Sequence, residues 1–130
     1  MTETNTEKEQ IEFICQDMAR GNWKEYWSKG SFLIRPSGNP LSADQELQMR
    51  ANQDLKMIKE ELVKINKVSV YGEIATCCFT VHQVFSYKGT SNDDISVVLV
   101  VLKKDNGSWK IVSGSRSQGR SPSEPLPEFD

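Results

Sequence analysis

Two polar side chains interrupt segments that are otherwise apolar, Arg35 and Gln83. Arg35 ends the apolar stretch that starts at Phe32 and precedes the rigid loop Pro36-Ser37-Gly38-Asn39-Pro40, so its guanidinium could bind a carboxylate or phosphate in a forked geometry. Gln83 breaks the apolar face of an alternating strand, where an unpaired amide would be costly. We therefore predict that both residues bind a ligand. A salt bridge or exposure for Arg35, and a neighbouring partner for Gln83, remain the simpler alternatives.

Aromatic residues form a second group of candidates. Residues 22–30 begin with a capping pattern and end at a glycine, which predicts a short second helix with an aromatic side. Such a side could stack on a flat or sugar-like ligand, although aromatics at this spacing more often fill a core. The predicted aromatic ligand-binding residues are Trp23, Tyr26 and Trp27, together with Tyr87 at the end of the strand that carries Gln83.

The last strand, predicted from Trp109 to Arg120, offers two different faces to a cavity. Ser113 and Ser115 alternate with Arg116, and regular alternation places the serines on one face and the arginine on the other. Lys110 shares the arginine face and suggests that this face reaches solvent or a dimer seam. We therefore predict that Ser113 and Ser115 bind the ligand, while a β-bulge would reverse this assignment.

The sequence contains little of the chemistry that proton transfer or metal binding requires. His82 is the single histidine, and the cysteines lack the spacing of a metal or redox motif. No carboxylate is predicted on an apolar strand face, where burial would raise its pKa. We therefore expect no metal and no cofactor, name no catalytic residue, and favour a protein that is not an enzyme.

Length and composition indicate one small acidic domain. The chain has 130 residues, a formal net charge of -2 and a pI near 5.5, which disfavours a nucleic-acid partner. An odd cysteine count of three fits a reducing compartment, and neither a targeting signal nor a membrane span is recognised, so we expect a cytoplasmic protein without membrane contact. The predicted organisation is a disordered N-terminus at 1–6, one domain at 7–117 and a flexible or extended tail at 118–130.

The elements follow in the order helices, then strands. Three helices are predicted, the third capped by Ser42 with Gln45. Residues 55–72 fit either a helix or an interrupted strand, and we favour a strand from about Lys59. A strand over 74–87 and a C-terminal hairpin complete an α+β fold, in which the helices pack on one face of a curved antiparallel sheet.

Three short segments resemble the nuclear transport factor 2-like superfamily, which includes the SnoaL-like proteins: Gly21-Asn22-Trp23, Gly38-Asn39-Pro40 and Gly107-Ser108-Trp109-Lys110-Ile111-Val112. Arg116-Ser117 is similar to the end of the calcium/calmodulin-dependent kinase II association domain, and residues 35–40 resemble small uncharacterised members that stand alone. The resemblance covers roughly residues 7–120. It implies a cone-shaped curved sheet with N-terminal helices on its concave face, a cavity, and a homodimer formed through the sheet.

This resemblance does not fix the activity, since the superfamily contains enzymes and binding proteins alike. The residues favour a homodimer that binds a small molecule, an anionic one among the options. One alternative is an isomerase or lyase of the dehydratase type, without metal, that uses Tyr26 or Tyr87 as acid and Arg35 as anchor. The other alternative is a pure oligomerisation module with a filled cavity.

Overall fold

The structure, a computed structural model, describes residues 3–129, with side chains from Glu7 onward. The elements in chain order are helix α1 (Glu3–Ala19), a 3₁₀ turn (Trp23–Glu25), strands β1 (Trp27–Ile34) and β2 (Pro40–Ser42), helix α2 (Ala43–Ala51), and strands β3 (Leu55–Tyr71), β4 (Ile74–Tyr87), β5 (Thr90–Asp105) and β6 (Ser108–Arg116). Within this range, neither helix has the length and apolar character needed to cross a bilayer.

The strands form one open sheet in the order β2-β1-β6-β5-β4-β3. Neighbouring strands are antiparallel except for β1 and β6, which run parallel. Both α-helices contact the sheet from the same side, α1 against β3 and β4, and α2 against β1 and β3. We call this the inner face and the opposite one the outer face. The predicted α+β class, with helices on one face of the sheet, is confirmed.

The main core lies between α1 and the inner face. Ile11, Cys15 and Met18 recur at helical spacing and are fully buried. They meet the inner side chains of the central strands, which include Cys77, Phe79, Val100, Leu102 and Ile111. The Sγ atoms of Cys15 and Cys77 are 2.7 Å apart, so helix and sheet approach closely at this point.

The predicted second helix is wrong. A single 3₁₀ turn covers Trp23–Glu25, and β1 begins at Trp27. The Tyr26 carbonyl accepts a hydrogen bond from the Ile111 amide at 2.7 Å, and Trp27 pairs with Ile111. Pairing with β6 therefore outweighs a local helical pattern that is too short to be stable alone. The chain has two α-helices in the described range instead of the predicted three.

The other predicted elements agree with the structure in type. Ser42 and Gln45 form the predicted capping box at the start of α2. The ambiguous segment is strand β3, which begins at Leu55, before the predicted start at Lys59. Three register shifts occur against β4 between Met57 and Lys67. Each shift breaks the two-residue alternation, so the sequence of β3 resembles a helix as much as a strand.

After β6 the chain continues alongside β5 in the same direction and then crosses the outer face. The last strand was predicted to run to Arg120, but β6 ends at Arg116. Beyond it, a single isolated bridge joins Arg120 to Ile95. Further on, Pro127 is buried, and it lies with Phe129 beside Cys78 and Val97. The predicted disordered segment at residues 1–6 includes Met1 and Thr2, which lie outside the described residues, and it stays a prediction.

Candidate ligand-binding pocket

A pocket of about 770 Å³ opens on the inner face at the end of the sheet farthest from α1. Helix α2 and the loop after β1 form one wall. The end of β4, the start of β5 and the end of β6 form the other. Apolar lining comes from Leu33, Leu41, Met49, Leu55 and Phe85, and the charged lining residues are Arg35, Glu46, Asp94 and Arg116. The site therefore combines an apolar interior with a few charged groups, as small-molecule sites commonly do.

Arg35 lies at the mouth of this pocket, held by a tight turn. Gly38 has φ +88° and donates its amide to the Arg35 carbonyl at 2.8 Å, which reverses the chain directly after β1. The guanidinium donates from Nε to the Asn39 carbonyl at 3.3 Å and from Nη1 to the Tyr87 hydroxyl at 3.4 Å. Among the side chains of residues 7–129, no carboxylate lies within salt-bridge distance of Arg35, so its charge is available to a ligand.

Arg116 reaches the pocket because β6 contains a bulge. Ile111 pairs with Leu102 and Ser113 pairs with the preceding residue, Val101, so Val112 is an extra residue in β6. Beyond this point the alternation is reversed. Arg116 now faces inward, whereas Ser113 and Ser115 face outward, opposite Val101 and Leu99. The serines thus lie away from the pocket, and the arginine, predicted to lie on the other face, lines it.

The Arg116 guanidinium, which is largely shielded from solvent, has few partners within the protein. Its Nε donates to Ser96 Oγ at 3.2 Å, and its Cζ lies 5.1 Å from the centre of the Phe85 ring. The nearest acidic partner in the described chain is Asp94, whose Oδ2 is 4.0 Å from Nη2. Burial lowers the pKa of Arg116, partly offset by Asp94. The charge is therefore incompletely compensated within the protein.

Glu60 organises the polar cluster at the inner end of the pocket. Oε2 accepts hydrogen bonds from Trp23 Nε1 at 3.2 Å and from Gln83 Nε2 at 3.0 Å. Oε1 accepts from Arg50 Nη1 at 3.2 Å. Three donors thus hold one carboxylate that is only 5% exposed.

Glu46 is a second buried acid, one turn before Arg50 on α2. The residue is 9% exposed, and its Oε2 lies 3.9 Å from Arg50 Nε. Burial raises the pKa of the Glu46 carboxyl, and the opposing effect of Arg50 is smaller. A carboxyl with a raised pKa that lines a pocket is a candidate for proton transfer.

A small chamber of about 40 Å³ lies at the inner end, bordered by Trp23, Gln83 and Arg50. It shares four lining residues with the main pocket, namely Leu33, Glu46, Leu55 and Arg116. Two buried polar atoms on this border, Gln83 Oε1 and Arg50 Nε, have no hydrogen-bond partner among the described residues. We call this space the inner chamber.

The structure brings together four of the eight predicted ligand-binding residues. Arg35 and Tyr87 line the mouth, and Gln83 and Trp23 border the inner chamber. Tyr26 lies outside this pocket and donates its hydroxyl to Asp17 at 2.5 Å, and desolvation together with this bond raises the pKa of Tyr26 to about 12. Trp27 stacks on Trp23, with ring centroids 5.7 Å apart. The predicted aromatic wall is therefore absent from this pocket. Ser113 and Ser115 do not line it either.

The expectation that no carboxylate lies on an apolar strand face is wrong. Glu60 faces inward on β3, and Asp94 does so on β5, opposite Gln83. Because register shifts interrupt the two-residue alternation of β3, the sequence does not indicate that Glu60 faces inward. Gly114, near the bulge in β6, marks a close approach to β5, and nothing in the sequence marks the bulge itself at Val112. A Cβ at Gly114 would lie 3.1 Å from the Leu99 carbonyl oxygen.

Metal ligands do not cluster in the described chain: no group of three or more His, Cys, Asp or Glu side chains among residues 7–129 is arranged to hold an ion. His82, on the outer face, contacts Asp93 Oδ1 through Nε2 at 2.7 Å and Glu61 Oε1 through Nδ1 at 3.8 Å. These contacts account for the single histidine without a ligand.

Comparisons with known proteins identify a family and a fold. The family "Protein of unknown function (DUF3804)" matches residues 6–124. An NTF2-like protein of unknown function from Prochlorococcus marinus is 36% identical, with 80% of this chain and 81% of that chain covered and a TM-score of 0.68. No curated protein matches.

Two more distant structures share the fold. A putative Ca/calmodulin-dependent kinase II association domain from Exiguobacterium sibiricum is 16% identical, with 92% and 95% of the two chains covered and a TM-score of 0.71. An NTF2-like protein of unknown function in nutrient uptake from Rhodospirillum rubrum is also 16% identical, with 82% and 93% covered and a TM-score of 0.70. At this identity the likeness concerns the fold alone.

Proposed function

The chain belongs to the DUF3804 family of proteins of unknown function and has the NTF2-like fold, and we propose that it binds a small organic anion in the inner-face pocket. The observation that carries this proposal is Arg116, whose side chain is only 17% exposed and whose nearest carboxylate in the described chain, that of Asp94, is 4.0 Å away. A buried cation is costly unless it is paired and hydrogen-bonded. A ligand carboxylate or phosphate at this position would supply the missing partner.

The charges around Arg116 support an anion. Burial raises the pKa of the Glu46 carboxyl, which lines the pocket beside Arg116. Glu60 is already engaged by Arg50, Gln83 and Trp23. Arg35 adds a second cation at the mouth, without an acidic partner in the described chain. Arg35 and Arg116 are therefore the two pocket cations that a ligand anion would contact, with Asp94 as the nearest carboxylate to Arg116.

The apolar lining supports an organic anion over a bare inorganic ion. Leu33, Leu41, Met49, Leu55 and Phe85 surround the arginines in a space of about 770 Å³. A hydrocarbon segment of the ligand would bury itself against these side chains at about 25 cal/mol per Å² of apolar surface. The ligand class is thus a carboxylate, or a phosphate ester, with an apolar portion.

We further propose that the protein works as a homodimer through the outer face, in a cytoplasmic setting. Phe32 and Ile34 on β1 and Leu99 on β5 are exposed on this face, at 43%, 44% and 43%. Ser113 and Ser115 lie between them in the register of β6. A contiguous apolar patch of this kind is typical of an interface. Relatives named as association domains are consistent with self-assembly.

Titration with a set of small carboxylates, followed by protein NMR, tests the binding proposal. We expect amide shifts at pocket residues in the wild type and a loss of affinity of at least about tenfold in Arg116→Gln, since a charged hydrogen bond is removed. Arg120→Gln is the matched control, because Arg120 donates to the Pro125 carbonyl outside the pocket. Equal affinities for all three proteins would overturn the proposal.

A second candidate function is proton transfer of the isomerase or lyase type. Glu46 favours it, because this pocket carboxyl is buried and its pKa is raised. Tyr87 and Arg35 would then position the substrate at the mouth. Turnover of a bound carboxylate that disappears in Glu46→Gln while binding persists would establish this function. Binding without turnover leaves the first proposal in place.

The remaining alternative is an oligomerisation module whose pocket has no ligand. It predicts a stable dimer in which Arg116→Gln changes neither assembly nor any binding signal. The NMR titration therefore separates the binding protein from the assembly module.

A further inference from the structure

We propose that the inner chamber is a subsite for one hydroxyl group, so that the ligand is a hydroxylated organic anion. This inference rests on the proposed function, since the anion is held by Arg116. It adds that the ligand also carries a hydroxyl group, at the end away from the anionic group. It is carried by Gln83 Oε1 and Arg50 Nε, two buried atoms without a partner among the described residues.

The orientation of the Gln83 amide is fixed by Glu60. A carboxylate can only accept hydrogen bonds, so the Gln83 nitrogen must face Glu60 Oε2, at 3.0 Å. Trp23 and Arg50 donate to the same carboxylate. The Gln83 oxygen is consequently turned away from Glu60, on the border of the inner chamber. At 5% exposure this residue has little access to bulk solvent.

Arg50 supplies the complementary group. Its Nη1 is engaged by Glu60 at 3.2 Å, while Nε lies 3.9 Å from Glu46 Oε2, too far for a hydrogen bond. The chamber thus offers one acceptor, Gln83 Oε1, and one donor, Arg50 Nε. A hydroxyl satisfies both, because it can donate and accept at the same time. A methyl group satisfies neither.

The size of the chamber limits the guest to a small group. Its volume of about 40 Å³ exceeds the roughly 10–15 Å³ that a cavity needs to hold one water. A hydroxyl oxygen therefore fits in the chamber. A carboxylate placed there would face the Glu60 carboxylate.

The inner chamber and the anion site belong to one continuous space. Arg116 borders both, and its guanidinium lies over Phe85, two residues along β4 from Gln83. The ligand would therefore place its anionic group at Arg116 and its hydroxyl in the inner chamber, with an apolar segment against Leu33 and Leu55, which line both spaces.

Calorimetric titration with two matched series of probes tests this inference. One series is the straight-chain carboxylic acids from pentanoate to decanoate, and the other is the same acids with a terminal hydroxyl. We expect the hydroxylated acid to bind at least about tenfold more tightly than its parent at one chain length, because the parent strands two buried polar atoms. Shorter pairs, which do not reach the chamber, bind alike.

Gln83→Met and Gln118→Met are the paired variants. Gln118 lines the outer part of the pocket, so its change to methionine is the same substitution away from the chamber. Gln83→Met is expected to reduce the hydroxyl preference to about one, and Gln118→Met to retain it. Arg50→Lys keeps a cation near Glu60 and removes the Nε donor, so it gives the same answer if Gln83→Met does not fold.

Each outcome bears on a different claim. A preference that appears and then disappears in Gln83→Met supports the subsite. Equal binding of both series to the wild type, or a preference that persists in Gln83→Met and Arg50→Lys, overturns the subsite and leaves the anion site standing. If no acid of either series binds, the proposed function and the subsite both fall.

Discussion

At the scale of single residues, the pocket is a balance of buried charges in which each acid has a different role. Glu60 has three donors and serves as a structural counter-charge for Arg50. Asp94 is loosely placed near Arg116, at 4.0 Å. Glu46 is desolvated with little compensation, since Arg50 lies 3.9 Å away. The pocket thus combines one acid whose pKa is raised by burial with an arginine whose nearest carboxylate is 4.0 Å away.

The raised pKa of Glu46 predicts a specific dependence of stability on pH. The folded protein holds the Glu46 proton more tightly than the unfolded chain, so this group lowers the free energy of unfolding as the pH rises above 4.5 and through the folded pKa. Glu46→Gln removes this loss. We expect the variant to gain stability relative to the wild type as the pH rises through that range, measured by urea unfolding at several pH values.

Glu61→Gln is the control for this experiment. Glu61 is 53% exposed on the same sheet and contacts only Lys59 and His82 among the described residues. Its effect should be small at every pH. If the stability difference between Glu46→Gln and the wild type does not change with pH, the raised pKa is wrong.

At the scale of elements, bulges decide which side chains meet. The extra residue Val112 in β6 turns Arg116 inward and the serines outward, and the shifts in β3 place Glu60 inward. Alternation in β4 is regular, and there the sequence correctly predicts that Gln83 and Tyr87 share a face. Where the strand is irregular, a two-residue period assigns the wrong face, because the sequence does not mark the position of the slip.

Helix prediction succeeded where local interactions decide the structure and failed where long-range pairing does. The capping box at Ser42 is a local interaction, so the start of α2 follows from the sequence. The segment after Asn22 has a helical pattern, but Trp27 pairs with Ile111, far away in sequence. Long-range pairing of this kind has no local signal. Trp23 and Trp27 therefore stack in the core, and the predicted aromatic wall does not form.

The segment after β6 closes one side of the pocket and requires glycine at position 119. A Cβ on Gly119 would lie 2.5 Å from Asp94 Cβ and Cγ, which cannot be accommodated without movement. We expect Gly119→Ala to lower the free energy of unfolding by about 2 kcal/mol. It should also weaken anion binding, because Gln118 and Gly119 line the pocket. Thermal unfolding and the carboxylate titration measure the two effects.

Ser121→Ala is the control for the glycine variant, since Ser121 is exposed and bonds only to neighbouring residues of the tail in the described structure. Wild-type stability in Gly119→Ala would show that the segment can move away from Asp94 without cost.

At the scale of the whole molecule, the two faces of the sheet have separate roles. The inner face holds the core and the pocket, and the outer face exposes Phe32, Ile34 and Leu99. A dimer formed through the outer face would leave the pocket of each subunit accessible. Binding and assembly can therefore be changed independently of each other.

Leu99→Glu tests the proposed homodimer. Leu99 is 43% exposed at the centre of the outer face, and a carboxylate there would be buried without a partner in the dimer. We expect the wild type to sediment as a dimer at micromolar concentration and the variant as a monomer. Ile58→Glu, at 65% exposure on the edge strand β3, is the control and should remain dimeric. A monomeric wild type would contradict the homodimer.

The most direct measurement of the binding proposal is a crystal structure of the protein grown with the tightest-binding carboxylate from the titrations. We predict a carboxylate oxygen about 2.8 Å from a guanidinium nitrogen of Arg116. The apolar part of the ligand should lie against Leu33 and Phe85. A carboxylate that occupies another site, for instance the groove beside α1 near Phe13 and Lys110, would contradict the assignment of Arg116 as the anion anchor.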